Sequence, residues 1–232
     1  MKFPPYRFIV DGFCFKLRLE PIVNLKNEVI VGYELLSRPV GDNSSKSRER
    51  LFKEMSSKNL SVILENQISW LNKLSNARKF LSNENIFYTI NIPLSALLSA
   101  DLLMELKFLS TRIKLCIELE GTIYPKELHD NISKLMQSGI DFWLDDCSSV
   151  ESINSAIPWQ AIKIDKYKFW KLSERHDTQL ASLIDDVKSK CGMVIIEGIE
   201  TKSDLSHALC TNALYGQGYL WSSSYIRLKN TI

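Results

Sequence analysis

Short apolar runs alternate with longer amphipathic segments along most of the chain. The short runs have the length and residue types of β-strands, and eight are predicted, at residues 15–21, 29–34, 86–92, 113–119, 141–145, 161–165, 193–197 and 217–221. Helical periodicity predicts helices at residues 61–81, 95–109, 126–138, 148–156, 178–190 and 202–210. Strands followed by helices are typical of βα units, so the pattern predicts one α/β domain over residues 1–232, folded as a small (β/α)8 TIM-like barrel.

Three segments interrupt this regular alternation. The connection 22–28 between the first two predicted strands is too short for a crossover helix, so the first strand should run antiparallel to the second. The polar segment 40–50 is expected to be a surface loop that leads into a helix. Ser148 and Glu151 have the spacing of a capping box, which supports a helix at 148–156.

Composition and charge exclude several classes of protein. Of the 232 residues, 45% are apolar and 24% are charged, which is typical of a chain with a sizeable buried core. The net charge of +2 gives no general attraction to nucleic acid, and no apolar run approaches the roughly 20 residues that span a bilayer. Pro4 and Pro5 interrupt any signal-peptide core, so a cytoplasmic protein is expected. The cysteines and histidines show neither disulfide nor zinc spacing.

Polar side chains end most of the predicted strands, whereas the strand interiors are largely apolar. In chain order they are Glu34, Asn91, Glu118, Asp145, Asp146, Lys163, Asp165, Glu197 and Glu200, with Gln217 at the opening of the last strand. Each acid alone is also typical of a solvated strand end, and Asn91 and Gln217 alone are typical of turns. Their common position favours function, because the active sites of barrels are built where the strands end.

A group of carboxylates at one mouth predicts bound cations. The carboxylates would repel one another unless positive charge neutralised them. Oxygen ligands without nearby histidine or cysteine select Mg²⁺ or Mn²⁺, and two such ions would suit phosphoester hydrolysis. Side-chain alternation places Lys163 and Asp165 together on the inward face of their strand. The Lys163 ammonium would orient or deprotonate the attacking water, or simply neutralise the ring.

The same residues resemble the motifs of the EAL-domain family, the cyclic di-GMP phosphodiesterases, from about residue 15 to residue 224. The family's naming Glu-Ala-Leu motif corresponds to Glu34-Leu35-Leu36, followed by Arg38. The other matching motifs are Glu20-Pro21-Ile22, Asn91-Ile92-Pro93, Glu118, Leu144-Asp145-Asp146, Ile162-Lys163-Ile164-Asp165, Glu197-Gly198-Ile199-Glu200-Thr201 and Gln217-Gly218-Tyr219. So many motifs in the family's order make the resemblance specific.

The resemblance implies a barrel with an antiparallel first strand, hydrolysis of cyclic di-GMP to linear pGpG with Mg²⁺ or Mn²⁺, and frequent dimerisation. It also implies a role for each matched residue. The implied metal ligands are Glu34, Asn91, Glu118, Asp145, Asp146 and Glu197. Lys163, Glu197 and Glu34 are implied to be catalytic, with Lys163 serving the water, and Arg38, Gln217 and Asp146 are implied to contact substrate. Lowering of this messenger would affect motility and biofilm formation.

Several departures from the family pattern identify a stand-alone, partly degenerate member. Leu35 replaces the family's alanine, and Glu20 replaces a glutamine. The loop 147–150 lacks the usual glycines and is expected to fold differently, and Gly121 stands where an acid would steady that loop. The departures keep open an inactive regulator that acts by binding another protein, for example a flagellar transcriptional regulator. An unrelated metal-dependent barrel enzyme is the third alternative.

Overall fold

In the part of the chain that the structure describes, ten strands form a single sheet, and eight of them close into a barrel. The structure is a computed structural model that describes residues 6–41, 45–77, 86–121, 125–174, 178–222 and 224–225, the side chains of 45–49, 77 and 224–225 excepted. The strands are β1 (Arg7–Val10), β2 (Phe13–Asn24), β3 (Ile30–Pro39), β4 (Phe87–Asn91), β5 (Lys114–Leu119), β6 (Asp141–Cys147), β7 (Ala161–Ile164), β8 (Met193–Ile196), β9 (Tyr215–Gln217) and β10 (Ser224–Tyr225). The α-helices are α1 (Ser45–Glu54), α2 (Ser57–Ala77), α3 (Ala100–Ser110), α4 (Lys126–Met136), α5 (Lys166–Ser173), α6 (Gln179–Lys188) and α7 (Lys202–Leu209), and 3₁₀ turns span Leu94–Leu98 and Val150–Ser152.

The barrel runs from β2 to β9 and is closed by pairing between these two strands. β2 is antiparallel to both β3 and β9, whereas every pair from β3 to β9 is parallel. This confirms the predicted TIM-like barrel with an antiparallel first strand. None of the described helices has the length and apolarity that a bilayer crossing requires.

Two apolar clusters stabilise the barrel. The smaller one contains Ile22, Phe87, Cys116, Trp143, Ala161 and Ile195. Phe87 and Trp143 meet edge to face there, with ring centroids 5.1 Å apart. The larger cluster lies between the strands and the surrounding helices and includes Ile162 and Ile164 of β7. Because Lys163 lies between these two isoleucines, alternation along the strand turns it to the other side of β7.

The β2–β3 hairpin extends beyond the barrel. Parallel pairing of β3 with β4 stops at Glu34, but β3 continues to Pro39 paired with β2. The predicted strand 29–34 was therefore too short, and Glu34 lies at the rim of the barrel rather than at the end of its strand. β1, which was not predicted, adds to this hairpin through a two-residue turn at Asp11 and Gly12, whose φ angles are 51° and 76°. An Asp-Gly pair is a common signal for such a turn.

Two further sequence predictions were wrong. Residues 148–156 form only the short 3₁₀ turn Val150–Ser152, and the Ser148–Glu151 capping box is absent. Asn154 accepts a hydrogen bond from the Ala156 backbone N–H at 2.9 Å, and this local Asx turn competes with a helix. The last barrel strand was placed too late, since β9 ends at Gln217 instead of beginning there. The final part of the predicted helix 61–81 lies outside the described residues.

We predict that Gly32→Ala lowers the free energy of unfolding by about 2 kcal/mol, as overpacking does in a closed core. A Cβ atom on Gly32 would overlap the ring of Phe87. Chemical denaturation of both proteins measures the change.

Adding Phe87→Leu removes the conflicting ring atoms. The double variant should therefore lose less unfolding free energy than the sum of the losses of the two single variants. Strictly additive losses would contradict the proposed overlap.

Candidate metal centre at the carboxyl rim of the barrel

The centre of the site is Lys163, whose side chain is 1% exposed and is surrounded by carboxylates from four other elements. Its Nζ atom lies 2.7 Å from Glu197 Oε1, 3.0 Å from Glu118 Oε2, 3.0 Å from Asp145 Oδ1 and 3.4 Å from Glu34 Oε2. Four of the predicted acids therefore converge on one ammonium group. We call these five residues the acidic ring.

Two neutral amides complete the surroundings of Glu34. Asn91 donates its Nδ2–H to Glu34 Oε1 at 2.8 Å, and Gln217 donates its Nε2–H to Glu34 Oε2. Asn91 ends β4 and Gln217 ends β9, so their side chains reach the same rim as the acids. The structure thus brings both predicted amides into contact with the ring.

A β-bulge positions the paired aspartates. Leu144 pairs with Ile162 and Cys147 with Ile164, so Asp145 and Asp146 together face the single residue Lys163. Asp146 has a φ of 51°, in the left-handed region that residues other than glycine rarely adopt. The extra residue lets Asp145 contact Lys163 while Asp146 lies in a second acidic group with Asp145 and Glu120, whose ligand oxygens are within 4.8 Å of one another.

The ring carries more negative charge than one lysine can balance. Burial lowers the pKa of Lys163, but the four carboxylates outweigh it and hold that pKa well above its ordinary value. Burial and the neighbouring acids raise the pKa of Glu118 well above its ordinary range and that of Glu197 to about 8. Burial together with Asp145 and Glu120 raises the pKa of Asp146 to about 7. The carboxylates therefore favour the cationic form of Lys163.

Glu34 behaves differently from the other buried acids. Burial raises its pKa, but the charge of Lys163, the Gln217 hydrogen bond, the charge of Arg38 and the Asn91 hydrogen bond together lower it below its ordinary value. These contacts thus favour the carboxylate form of Glu34, which is the state a metal ligand needs.

The donor set fits hard divalent cations. All the acids and amides at this rim offer oxygen, the atom that Mg²⁺ and Mn²⁺ prefer. Two oxygens, Glu118 Oε1 and Gln217 Oε1, are buried and have no hydrogen-bond partner within the described part of the chain. Burial and then the neighbouring acids raise the pKa values of Glu118 and Glu197, and bound cations would favour their carboxylate forms.

Two predicted members do not join the ring. Asp165 caps α5 instead and accepts a hydrogen bond from the Lys168 backbone N–H at 2.9 Å. Glu200 is exposed, with its backbone N–H bonded to Asp204 at 3.0 Å. Both residues follow the strand end, where the chain has already turned, so strict alternation no longer applies. Glu120 was not among the predicted site residues, although it lies two residues after Glu118 and joins the second acidic group.

Arg38 lies at the mouth within an ion-pair cluster. Its Nη2 atom is 3.5 Å from Glu20 Oε2, and Arg18 Nη2 is 3.2 Å from the same oxygen. Glu20 is buried and directly opposes Glu34 in the β2–β3 pairing. The carboxylate that replaces the expected glutamine is therefore neutralised by two arginines.

An α/β barrel with a lysine-centred carboxylate ring at its carboxyl rim defines a TIM-like protein with a candidate divalent-metal centre. The family model of the EAL domain matches residues 12–224. The chain belongs to the EAL-domain family. A comparison with curated protein sequences finds no match.

Solved structures share this fold. The EAL enzyme Bd1971, bound to cAMP and cyclic di-GMP, has a TM-score of 0.74 and 22% identity, over 89% of this chain and 61% of that one. The PaMucR phosphodiesterase with c-di-GMP has a TM-score of 0.69 and 17% identity, over 89% and 90%. The Bacillus subtilis YkuI protein, with substrate c-di-GMP and calcium, has a TM-score of 0.68 and 19% identity, over 92% and 56%. This chain therefore spans about three fifths of Bd1971.

We predict that Lys163→Met lowers the free energy of unfolding in a metal chelator by about 3 kcal/mol or more, because two buried and two partly buried acids lose their cation. Saturating Mn²⁺ should raise the melting temperature of the variant more than that of the wild type, since the metal supplies the missing charge. The exposed Lys171→Met is the matched control. Equal losses for the two lysine variants would contradict a compensating role for Lys163.

We predict that Asp146→Val is less stable than Asp146→Asn by about 1–2 kcal/mol, because asparagine tolerates the left-handed backbone and a β-branched residue does not. Both substitutions remove the same charge, so the difference reports the backbone alone. Thermal unfolding in a metal chelator measures it. Identical stabilities would show that the bulge does not require this conformation.

Proposed function

We propose that this protein is a cyclic di-GMP phosphodiesterase that hydrolyses the cyclic dinucleotide to linear pGpG with Mg²⁺ or Mn²⁺. The observation that carries the proposal is the acidic ring at the carboxyl rim, in a chain of the EAL family. Two similar structures, PaMucR and YkuI, contain c-di-GMP in the same fold. By lowering the messenger in the cytoplasm, the enzyme would affect motility and biofilm formation, and the family resemblance favours a homodimer.

The donor groups divide between two cation positions. Glu34, Asn91, Glu118 and Asp145 would hold one ion, and Asp145, Asp146 and Glu120 would hold the other, with Glu197 beside both. When bound, the two ions would neutralise the carboxylates, polarise the phosphate and lower the pKa of an attacking water.

This chain's own residues orient the reaction. Lys163 would hold the attacking water through its ammonium group and balance the ring, and a neighbouring ring carboxylate such as Glu197 would accept the proton. The water oxygen bonds to phosphorus as the bond from phosphorus to the 3′ oxygen breaks. The 3′ oxygen leaves as a hydroxyl after taking up a proton, and the product keeps a 5′ phosphate. Arg38 and Gln217 would hold the substrate at the mouth.

A second candidate function is an inactive regulator that binds another protein. The segment after Asp146 favours it, because this loop lacks the family's glycines. Ser152 donates its hydroxyl to the Ser149 carbonyl at 2.6 Å, and Val150–Ser152 forms a 3₁₀ turn. The loop is therefore stabilised by its own polar groups, in a different way from a glycine loop.

We predict that the purified protein converts cyclic di-GMP to pGpG with Mn²⁺ or Mg²⁺, and that Glu34→Gln lowers the rate at least a hundredfold, because it removes a carboxylate ligand whose pKa is held below its ordinary value. Chromatography of the product measures the rate.

Glu65→Gln, an identical change at an exposed position of α2, is the matched control and should keep the wild-type rate. If wild type and Glu34→Gln are equally inert although both are folded, the enzyme proposal is wrong and the regulator is favoured.

A further inference from the structure

The extended hairpin carries cationic side chains on one face only. Phe8, Val10 and Phe15 point to the opposite face, where they pack with Ile63 and Phe52 of the flanking helices. The register pairs Arg7 with Lys16 and Lys16 with Arg38, so these three side chains share the other face. Arg18 lies two residues further along β2 and therefore also belongs to it.

Arg18 is held in place by two contacts. Its Nη2 atom lies 3.2 Å from Glu20 Oε2, and its guanidinium carbon lies 5.4 Å from the centre of the Tyr219 ring. Only 13% of its side chain is exposed, which is unusual for an arginine at a barrel mouth. Tyr219 follows Gln217 by two residues, so the same short segment that reaches Glu34 also supports Arg18.

The two arginines at Glu20 have N–H groups that do not contact it. The Nε atoms of Arg18 and Arg38 are buried, and neither has a hydrogen-bond partner within the described residues. Each guanidinium also places only one Nη atom on Glu20. A buried N–H without a partner costs free energy, and an anionic oxygen would satisfy it. The net charge of the three groups is +1, so the cluster can still attract an anion.

We propose that Arg18 is a second anion-binding residue, which holds the phosphodiester that is not being cleaved, and that Glu20 is the positioning residue that fixes Arg18 and Arg38 side by side. The proposal rests on the proposed function, because a cyclic dinucleotide carries two phosphodiesters and only one of them reaches the acidic ring. Along β2, Arg18 and Glu20 are two residues apart, and Glu20 opposes Glu34, so Arg18 lies next to the ring but outside it. The flat ring of Tyr219 supports the Arg18 guanidinium from one side.

The test is calorimetric binding of cyclic di-GMP in the presence of Ca²⁺, the ion found with intact substrate in the YkuI structure. Arg18→Gln should weaken binding at least tenfold and make the affinity less dependent on salt, because one ion pair with a phosphate is lost. Arg18→Lys keeps the charge but not the planar fork, so it should recover part of the affinity and the salt dependence.

The matched control is Arg112→Gln on the outer surface. Arg112 also lies over an aromatic ring, 4.1 Å from the centre of Phe108, and also bonds a side-chain oxygen, that of Asn76 at 2.6 Å. It should bind cyclic di-GMP like the wild type. The stabilisation of Arg18→Gln by Mn²⁺ should equal that of the wild type, because the acidic ring is unchanged.

The outcomes separate the two proposals. If the wild type binds the dinucleotide and Arg18→Gln binds it within twofold, or with the same salt dependence, the role of Arg18 is overturned while the proposed function stands. A loss of Mn²⁺ stabilisation in Arg18→Gln would also overturn it, because the substitution would then act through the metal centre. If the wild type itself binds no cyclic di-GMP, both proposals are wrong.

Discussion

The contact of one buried ammonium with four carboxylates is the interaction on which the rest of the site depends. Lys163 meets Glu34, Glu118, Asp145 and Glu197, each from a different part of the barrel. Removal of these charges from water is costly, and one cation only partly offsets the cost. Burial, and after it the repulsion of the neighbouring acids, raises the pKa values of Glu118 and Glu197. A site with this charge imbalance is suited to bind additional positive charge.

Backbone irregularities, more than the regular barrel, decide which side chains meet. The bulge in β6 allows Asp145 to contact Lys163 and Asp146 to lie near Glu120. The extension of β2 and β3 past the rim places Arg18 and Arg38 above the ring, on either side of Glu20. A perfectly regular barrel would supply the carboxylates but neither the second acidic group nor the paired arginines.

The sequence predicts most of the barrel and of the ring, because both follow local patterns. Apolar runs mark the strands, and a polar residue at the end of a run is placed at the rim by the parallel arrangement itself. The failures concern features that depend on distant partners. The length of β3 depends on its pairing with β2. Asp165 caps α5 instead of facing into the barrel, and a strand pattern does not predict helix capping. Glu120 lies near Asp145 and Asp146, which belong to the bulge, and no strand pattern predicts this contact.

The changed loop need not undo the acidic ring, because the two are stabilised by different contacts. Asp145 is held by its ion pair with Lys163, and the strand continues to Cys147, whose carbonyl accepts the Asp165 backbone N–H at 3.1 Å. The polar contacts of Ser149 and Ser152 are made with each other and with the Cys147 side chain. The absence of glycine there alters the loop, whereas the contacts of Asp145 with Lys163 and of Cys147 with Asp165 are kept. This departure from the family pattern therefore leaves the contacts of the acidic ring in place.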